Sequence, residues 1–268
     1  MGQVQSTSHV KLSILLPVRN ENVNLRIMLK ILKATVEVPH EVLVVYDHEE
    51  DNSVPTVLAM QEEYSNIRGI HNTLGSGVTN AIRAGVEASV GEVILIFAAD
   101  EVGPVLAIQD MLALMNQGCD FISCTRYAHG GRRLGGSLIG GILSRVANRL
   151  FNLLSGALLT DSTTGIKMFR RSILDRLELE AKPVGWAVAF EMAMKAQAAG
   201  LKLGEVPIVS IDRLYGGESS FRVGPWVGEY LKWFIWGLIH LRRESKATQP
   251  KVLVRVPSYY PPRARERQ

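Results

Sequence analysis

Apolar and polar positions alternate along this chain in two rhythms. Runs of strand length come first: Leu12–Leu16 ended by Pro17, then Glu41–Tyr46, Ile67–His71, Glu92–Phe97 and Phe121–Cys124. Between them lie segments of helical spacing. Asn22–Thr35 repeats apolar residues at Val23, Ile27, Leu29 and Leu32, and Val54–Tyr64, Asn80–Ser89 and Ile108–Asn116 follow the same period. Near-continuous apolar strands alternating with helices predict an α/β fold. Its sheet is mostly parallel, covered on both faces and joined by right-handed crossovers.

After Arg126 the rhythm changes. The Gly- and Arg-rich stretch Ala128–Gly136 reads as a mobile loop. Leu138–Leu159 and Trp226–Leu241 read as apolar helices, with Arg145, Arg149 and Lys232 interrupting them. Thr164–Arg170 and Gly204–Asp212 look like strands, and Ala187–Ala199 like a helix. These elements predict one domain over residues 11–243, a flexible N-terminus over 1–10 and a flexible tail over 244–268. No internal repeat is present.

Composition narrows the class only modestly. The 268 residues are 47% hydrophobic and 21% charged, as expected of a chain with a full core. The net charge of +4 is mild: it suits an anionic ligand, an anionic membrane surface or no such partner, and does not call for nucleic acid. Cys119 and Cys124 have neither metal-site nor disulfide-framework spacing, which points to a reducing compartment. Met1–Val10 lacks the apolar core of a signal peptide, and no apolar run reaches the ~18 residues of a membrane span. The two apolar helices are therefore expected to lie on a bilayer surface or to pack in a core or dimer.

Candidate chemistry collects at strand ends. Asp100 closes the apolar run Ile94–Phe97 and so points into the crevice where open α/β sheets bind ligands. Arg126, Arg132 and Arg133 form a basic group suited to phosphate oxygens.

Seven segments occur in the order and spacing of family 2 glycosyltransferases: Pro17–Glu21, Val44–Asp47, Gly77–Gly85, Ala99–Asp100, Arg126–Gly131, Asp161–Phe169 and Gly217–Ser219. Over residues 11–243 the chain resembles dolichyl-phosphate mannosyltransferase and other polyprenyl-phosphate sugar transferases. The resemblance implies a GT-A fold, a nucleoside-diphosphate-sugar donor of the GDP-mannose or UDP-glucose type, and inversion at the anomeric carbon. It assigns Pro17, Arg19, Glu21, Asp47, Gly77 and Ala99 to the donor, with Arg213 and Arg222 steadying the diphosphate. Gly216 and Gly217 fit a hinge in that late loop. Asp100 would hold Mg²⁺ or Mn²⁺. Arg126, with Arg132 and Arg133, would contact an acceptor phosphate.

The chain departs from the family pattern twice. The first carboxylate of the usual Asp-x-Asp is Ala98, with Val102 at a further ligand position, and the late Lys is Ser220. Three readings stand on these residues. The acceptor is a polyprenyl phosphate at the cytoplasmic face of a membrane, with the protein peripheral to it. Or the acceptor is a sugar hydroxyl in surface-polysaccharide synthesis, with Asp161 as general base. Or the frame binds nucleotide-sugar without turnover.

Overall fold

The computed structural model describes residues 11–135, 138–183, 185–211, 223–244 and 251–259, without the side chains of 138–140, 223–225 and 242–244. The first half is a run of strand–helix units: β1 (Leu12–Pro17), α1 (Asn22–Thr35), β2 (His40–Tyr46), α2 (Val54–Glu63), β3 (Ile67–His71), α3 (Val78–Ala88), β4 (Val93–Ile96), α4 (Ile108–Asn116) and β5 (Phe121–Thr125). The second half holds β6 (Arg132–Leu134), α5 (Leu138–Ser155), β7 (Lys167–Arg170), α6 (Leu174–Leu177), α7 (Ala187–Ala198), β8 (Leu203–Pro207), β9 (Val209–Ile211), α8 (Val223–Glu244) and β10 (Leu253–Val254).

Eight strands make one sheet in the order β10-β8-β5-β7-β4-β1-β2-β3. Every pairing is parallel except those of β7, which runs antiparallel between β4 and β5. Strand alternation sends β1 residues Leu12, Ile14 and Leu16 to one face, where they meet Leu25, Met28 and Met111. Leu15 goes to the other face with Ile82, Phe190 and Trp233. Each such buried side chain contributes about 1.5–3 kcal/mol relative to exposure. Two covered faces fix the sheet, so the carboxyl ends of β1, β2, β4, β5 and β8 share one edge.

Three expectations need correction. The loop expected over 128–136 contains β6, which pairs in parallel with β9 in a second, two-stranded sheet. The strand expected over Gly204–Asp212 breaks at Ile208. Pro207 cannot donate to a ladder, and after it the chain leaves β5 for β6, with Ile208 N donating to Thr125 O and Arg132 N to Ile208 O. The tail is not uniformly loose. Leu253–Val254 adds an edge strand to β8, and Arg255 Nε donates to Asp110 Oδ1 at 2.6 Å.

Candidate active site

The donor half of the edge is built on two turns. The turn after β1 places Asn20 at φ 57°. Asn20 N donates to both oxygens of Asp51 at 3.0 Å, and Glu21 N donates to Ser53 Oγ at 2.9 Å. These bonds hold exposed Arg19 and half-buried Pro17 and Glu21 at the rim. Glu21 also accepts from Asn24 Nδ2 at 2.8 Å at the start of α1.

The second turn belongs to Asp47. Its Oδ1 accepts from Asn72 Nδ2 at 2.7 Å and its Oδ2 from Gly77 N at 2.8 Å. Gly77 sits at φ 114°, and a Cβ there would lie 2.3 Å from Pro183 O. Asp47 thus braces the entry to α3, a role the sequence did not reveal.

Beyond β4 the chain turns at Ala99–Asp100. Asp100 is half-buried at the edge, whereas Ala99 is buried in the apolar cluster. The Ala99 side chain therefore packs in the core. The same turn carries Glu101 back toward β9. Glu101 Oε2 accepts from Ser210 Oγ at 3.2 Å, and its charge is felt at Arg126. Ala98 and Val102 contribute no ligand. Among the described residues no cluster of three or more His, Cys, Asp or Glu surrounds Asp100. The donor set fits a hard divalent cation in one way: one carboxylate from Asp100, with the remaining oxygens from diphosphate and water.

Across β7 lies the basic half. Arg126 follows β5 and is 14% exposed, while Asp161 precedes β7 and is fully buried. Arg126 Nε donates to Asp161 Oδ2 at 2.7 Å and Nη2 to Oδ1 at 3.0 Å, a bidentate pair. Arg126 N adds a third bond at 3.2 Å. Burial opposes ionisation of Asp161, but Arg126 outweighs it and holds the carboxyl below its usual range. Asp161 is therefore an anion with both oxygens engaged, an arrangement that does not favour the general-base role the sugar-hydroxyl reading gives it. Arg126 is likewise not wholly available to a ligand. Nε and Nη2 are spent on Asp161 and Thr163, and Nη1 remains.

Arg126 and Arg145 both lie against the Tyr127 ring, at 5.1 and 5.4 Å from its centroid. Arg132 is exposed on β6, and the Arg133 head sits beside α5, 3.8 Å from where a Cβ on Gly141 would stand. Arg213, Arg222, Gly216, Gly217 and Ser220 lie outside the described residues.

Beneath this half is a buried polar layer that the sequence reading missed. Lys167 Nζ donates to Ser123 Oγ at 2.8 Å and Ser162 O at 3.2 Å, and burial pulls it down to about 8. Glu205 accepts from Thr160, and burial pushes it up to about 7. Asn148 of α5 binds the 162–163 turn through Ser162 N and Thr163 Oγ1. A signal existed: Lys167 and Glu205 are lone charges inside apolar strands, which need buried partners.

The sequence that builds this edge matches the glycosyl transferase family 2 model over residues 13–178, more than half of the chain. The chain belongs to that family. It is 26% identical over 250 residues to a dolichol-phosphate mannosyltransferase of Mycosarcoma maydis, covering 90% of this chain and 82% of that protein. It is 25% identical over 235 residues to a polyprenol monophosphomannose synthase of Mycolicibacterium smegmatis, covering 80% and 85%. Among solved structures, glucosyl-3-phosphoglycerate synthase from Mycobacterium tuberculosis, in complex with Mn²⁺, UDP and glucosyl-3-phosphoglycerate, superposes with a TM-score of 0.66 at 15% identity. That match covers 85% of this chain and 80% of the other. The fold is accordingly GT-A.

Proposed function

We propose that this protein moves a hexose from a nucleoside-diphosphate sugar to a polyprenyl phosphate, with inversion. The relatives named as dolichol-phosphate and polyprenol transferases support that acceptor. The carrying observation is the bidentate capture of Asp161 by Arg126. A sugar-hydroxyl acceptor needs a base, and the candidate base is already paired. A lipid phosphate arrives ionised and needs positioning instead.

In this reading Arg19, Glu21 and the Asp47-braced Gly77 turn receive the nucleotide. Asp100 would hold Mg²⁺ or Mn²⁺ against the diphosphate, and the cation supplies neutralisation of leaving-group charge. Arg126 Nη1, with Arg132 and Arg133 nearby, steadies the acceptor phosphate. One phosphate oxygen attacks the anomeric carbon. The bond to the diphosphate breaks with its electron pair leaving on the nucleotide. Asp100 and Arg126 follow β4 and β5, which β7 separates, so the two strand ends stand about 10 Å apart at ~4.8 Å per strand. That gap suits a sugar ring between two phosphates.

The same reading assigns α5 and α8 to a membrane surface. No helix among the described residues is long and apolar enough to cross a membrane. The two helices pack together through Phe151 and Phe234, ring centroids 5.2 Å apart. Their outer faces expose Ile142 (63%), Leu143, Val146, Leu150 and Leu153 (77%) on α5, and Val227, Leu231, Ile235 and Ile239 on α8. The charges between them are Arg145, Arg149 and Lys232. Glu229 turns inward to accept from Trp233 Nε1 at 3.0 Å. Apolar residues flanked by cations suit anionic headgroups.

The test is transfer from radiolabelled GDP-mannose or UDP-glucose to a polyprenyl phosphate. Labelled lipid product is expected. Product only with hydroxyl acceptors, or nucleotide-sugar binding with no transfer to any acceptor, would replace this reading.

A further inference from the structure

The polar layer under Arg126 is wired to one fully buried side chain. Glu205 lies on β8, opposite Ser123 of β5 and Val254 of β10 in the strand register. Its Oε1 accepts from Thr160 N at 2.8 Å and from Asp161 N at 3.4 Å. Its Oε2 accepts from Thr160 Oγ1 at 2.9 Å. Thr160 Oγ1 lies 2.7 Å from Thr125 Oγ1, which in turn accepts from Tyr127 N at 3.3 Å.

The chemistry at the two ends sets the direction of this chain. A backbone amide can only donate and an ionised carboxylate accepts, so with Glu205 ionised each hydroxyl passes its proton toward Glu205. The bonds run from Tyr127 N–H to Thr125, from Thr125 to Thr160, and from Thr160 to Glu205. One carboxylate therefore holds both flanks of the Arg126–Asp161 pair, the 160–161 segment directly and the 125–127 segment through two hydroxyls. Other groups face it without taking over the role. His129 Nε2, in the β5–β6 connection with a φ of 54°, is 3.7 Å from Oε2. Lys167 on β7 gives its protons to Ser123 and Ser162.

We propose that Glu205 is a positioning residue that aims the Arg126 guanidinium at the acceptor phosphate, acting through Thr160 and Thr125. Aiming at an acceptor phosphate rests on the transferase reading above. Bracing of Arg126 by Glu205 stands without it.

Two readouts separate them. The first is the ¹⁵N-edited NMR signal of the Arg126 Nε–H, assigned by its loss in Arg126→Lys. A buried bidentate pair keeps this proton slow to exchange. Glu205→Leu and Thr160→Val are each expected to broaden or shift it, and Glu205→Gln, which retains an acceptor for the two amides, to preserve it. The second readout is the split between substrates in the transfer assay. Thr160→Val and Glu205→Leu should raise the acceptor KM about tenfold while the donor KM stays within about twofold, and Glu205→Gln should recover most of the loss. Glu205→Leu combined with Thr160→Val should be no worse than Glu205→Leu alone.

If Glu205→Leu does not fold, Thr160→Val and Glu205→Gln decide. If the wild type transfers to no lipid phosphate, the functional reading fails, and the NMR signal still judges Glu205. An Arg126 signal unmoved by Thr160→Val, or donor and acceptor KM rising in parallel, overturns the proposal.

Discussion

Asp161 receives Arg126 through both carboxylate oxygens, at 2.7 and 3.0 Å, in a site where the carboxylate has no exposed surface. The pair is worth little as a net sum, because desolvation of two charges offsets most of their attraction. Breaking it is another matter. Asp161→Asn or Arg126→Ala leaves one buried charge uncompensated and should cost about 3–5 kcal/mol in urea denaturation. Removing both charges in one variant should cost less than the sum of the two singles. Additive losses would mean the two residues are energetically independent.

Asp100 stands outside both core clusters. Asp100→Ala should lower transfer at least a hundredfold, with the melting temperature within about 2 °C of wild type. It should also abolish the extra thermal stabilisation that Mn²⁺ gives the nucleotide complex, since a ligand stabilises only as far as it binds. Activity or Mn²⁺-dependent stabilisation retained in the variant would remove Asp100 from the site.

Gly77 combines φ 114° with Pro183 backbone 2.3 Å from any added Cβ. Gly77→Ala should cost about 1–3 kcal/mol through backbone strain and raise the donor KM, as the Asp47-braced turn shifts. Thermal denaturation and donor titration check both effects. A donor KM unchanged alongside the stability loss would detach this turn from the nucleotide.

Glu205 gives the fold a pH signature. Its folded pKa is raised from 4.5 to about 7, so the native state keeps a proton that the unfolded state has lost. Stability contributed by the protonated form is therefore lost as pH rises from about 4.5 to 7, on the order of 3 kcal/mol. Gln mimics the neutral acid. The stability difference between wild type and Glu205→Gln should thus move in favour of Gln between pH 5 and pH 8. Lys167, lowered from 10.5 to about 8, acts in a higher window, where stability rises with pH from about 8 to 10.5. A difference independent of pH would mean Glu205 titrates normally.

The outward face of α5 and α8 predicts binding to vesicles containing anionic lipid, weakened by salt. Leu153→Glu combined with Ile142→Glu should reduce co-sedimentation severalfold while leaving the far-ultraviolet spectrum unchanged, since both side chains are largely exposed. Equal binding to neutral vesicles, or no loss in the variant, would point away from this face.

The alternation of strands and helices, the two covered sheet faces and the place of Asp100 at a strand's carboxyl end were determined by the sequence alone. Those features follow from periodicity, and periodicity is local: every second or every third to fourth residue must reach the same apolar layer. The pairing of Arg126 with Asp161 across 35 residues was decided only in three dimensions, as was the anchoring of Thr160 by Glu205 across 45. So were the antiparallel insertion of β7, the edge strand at Leu253–Val254 and the burial of Ala99. Which strands become neighbours sets these contacts. A charged side chain becomes an exposed ligand or a buried brace according to the partner that adjacency delivers.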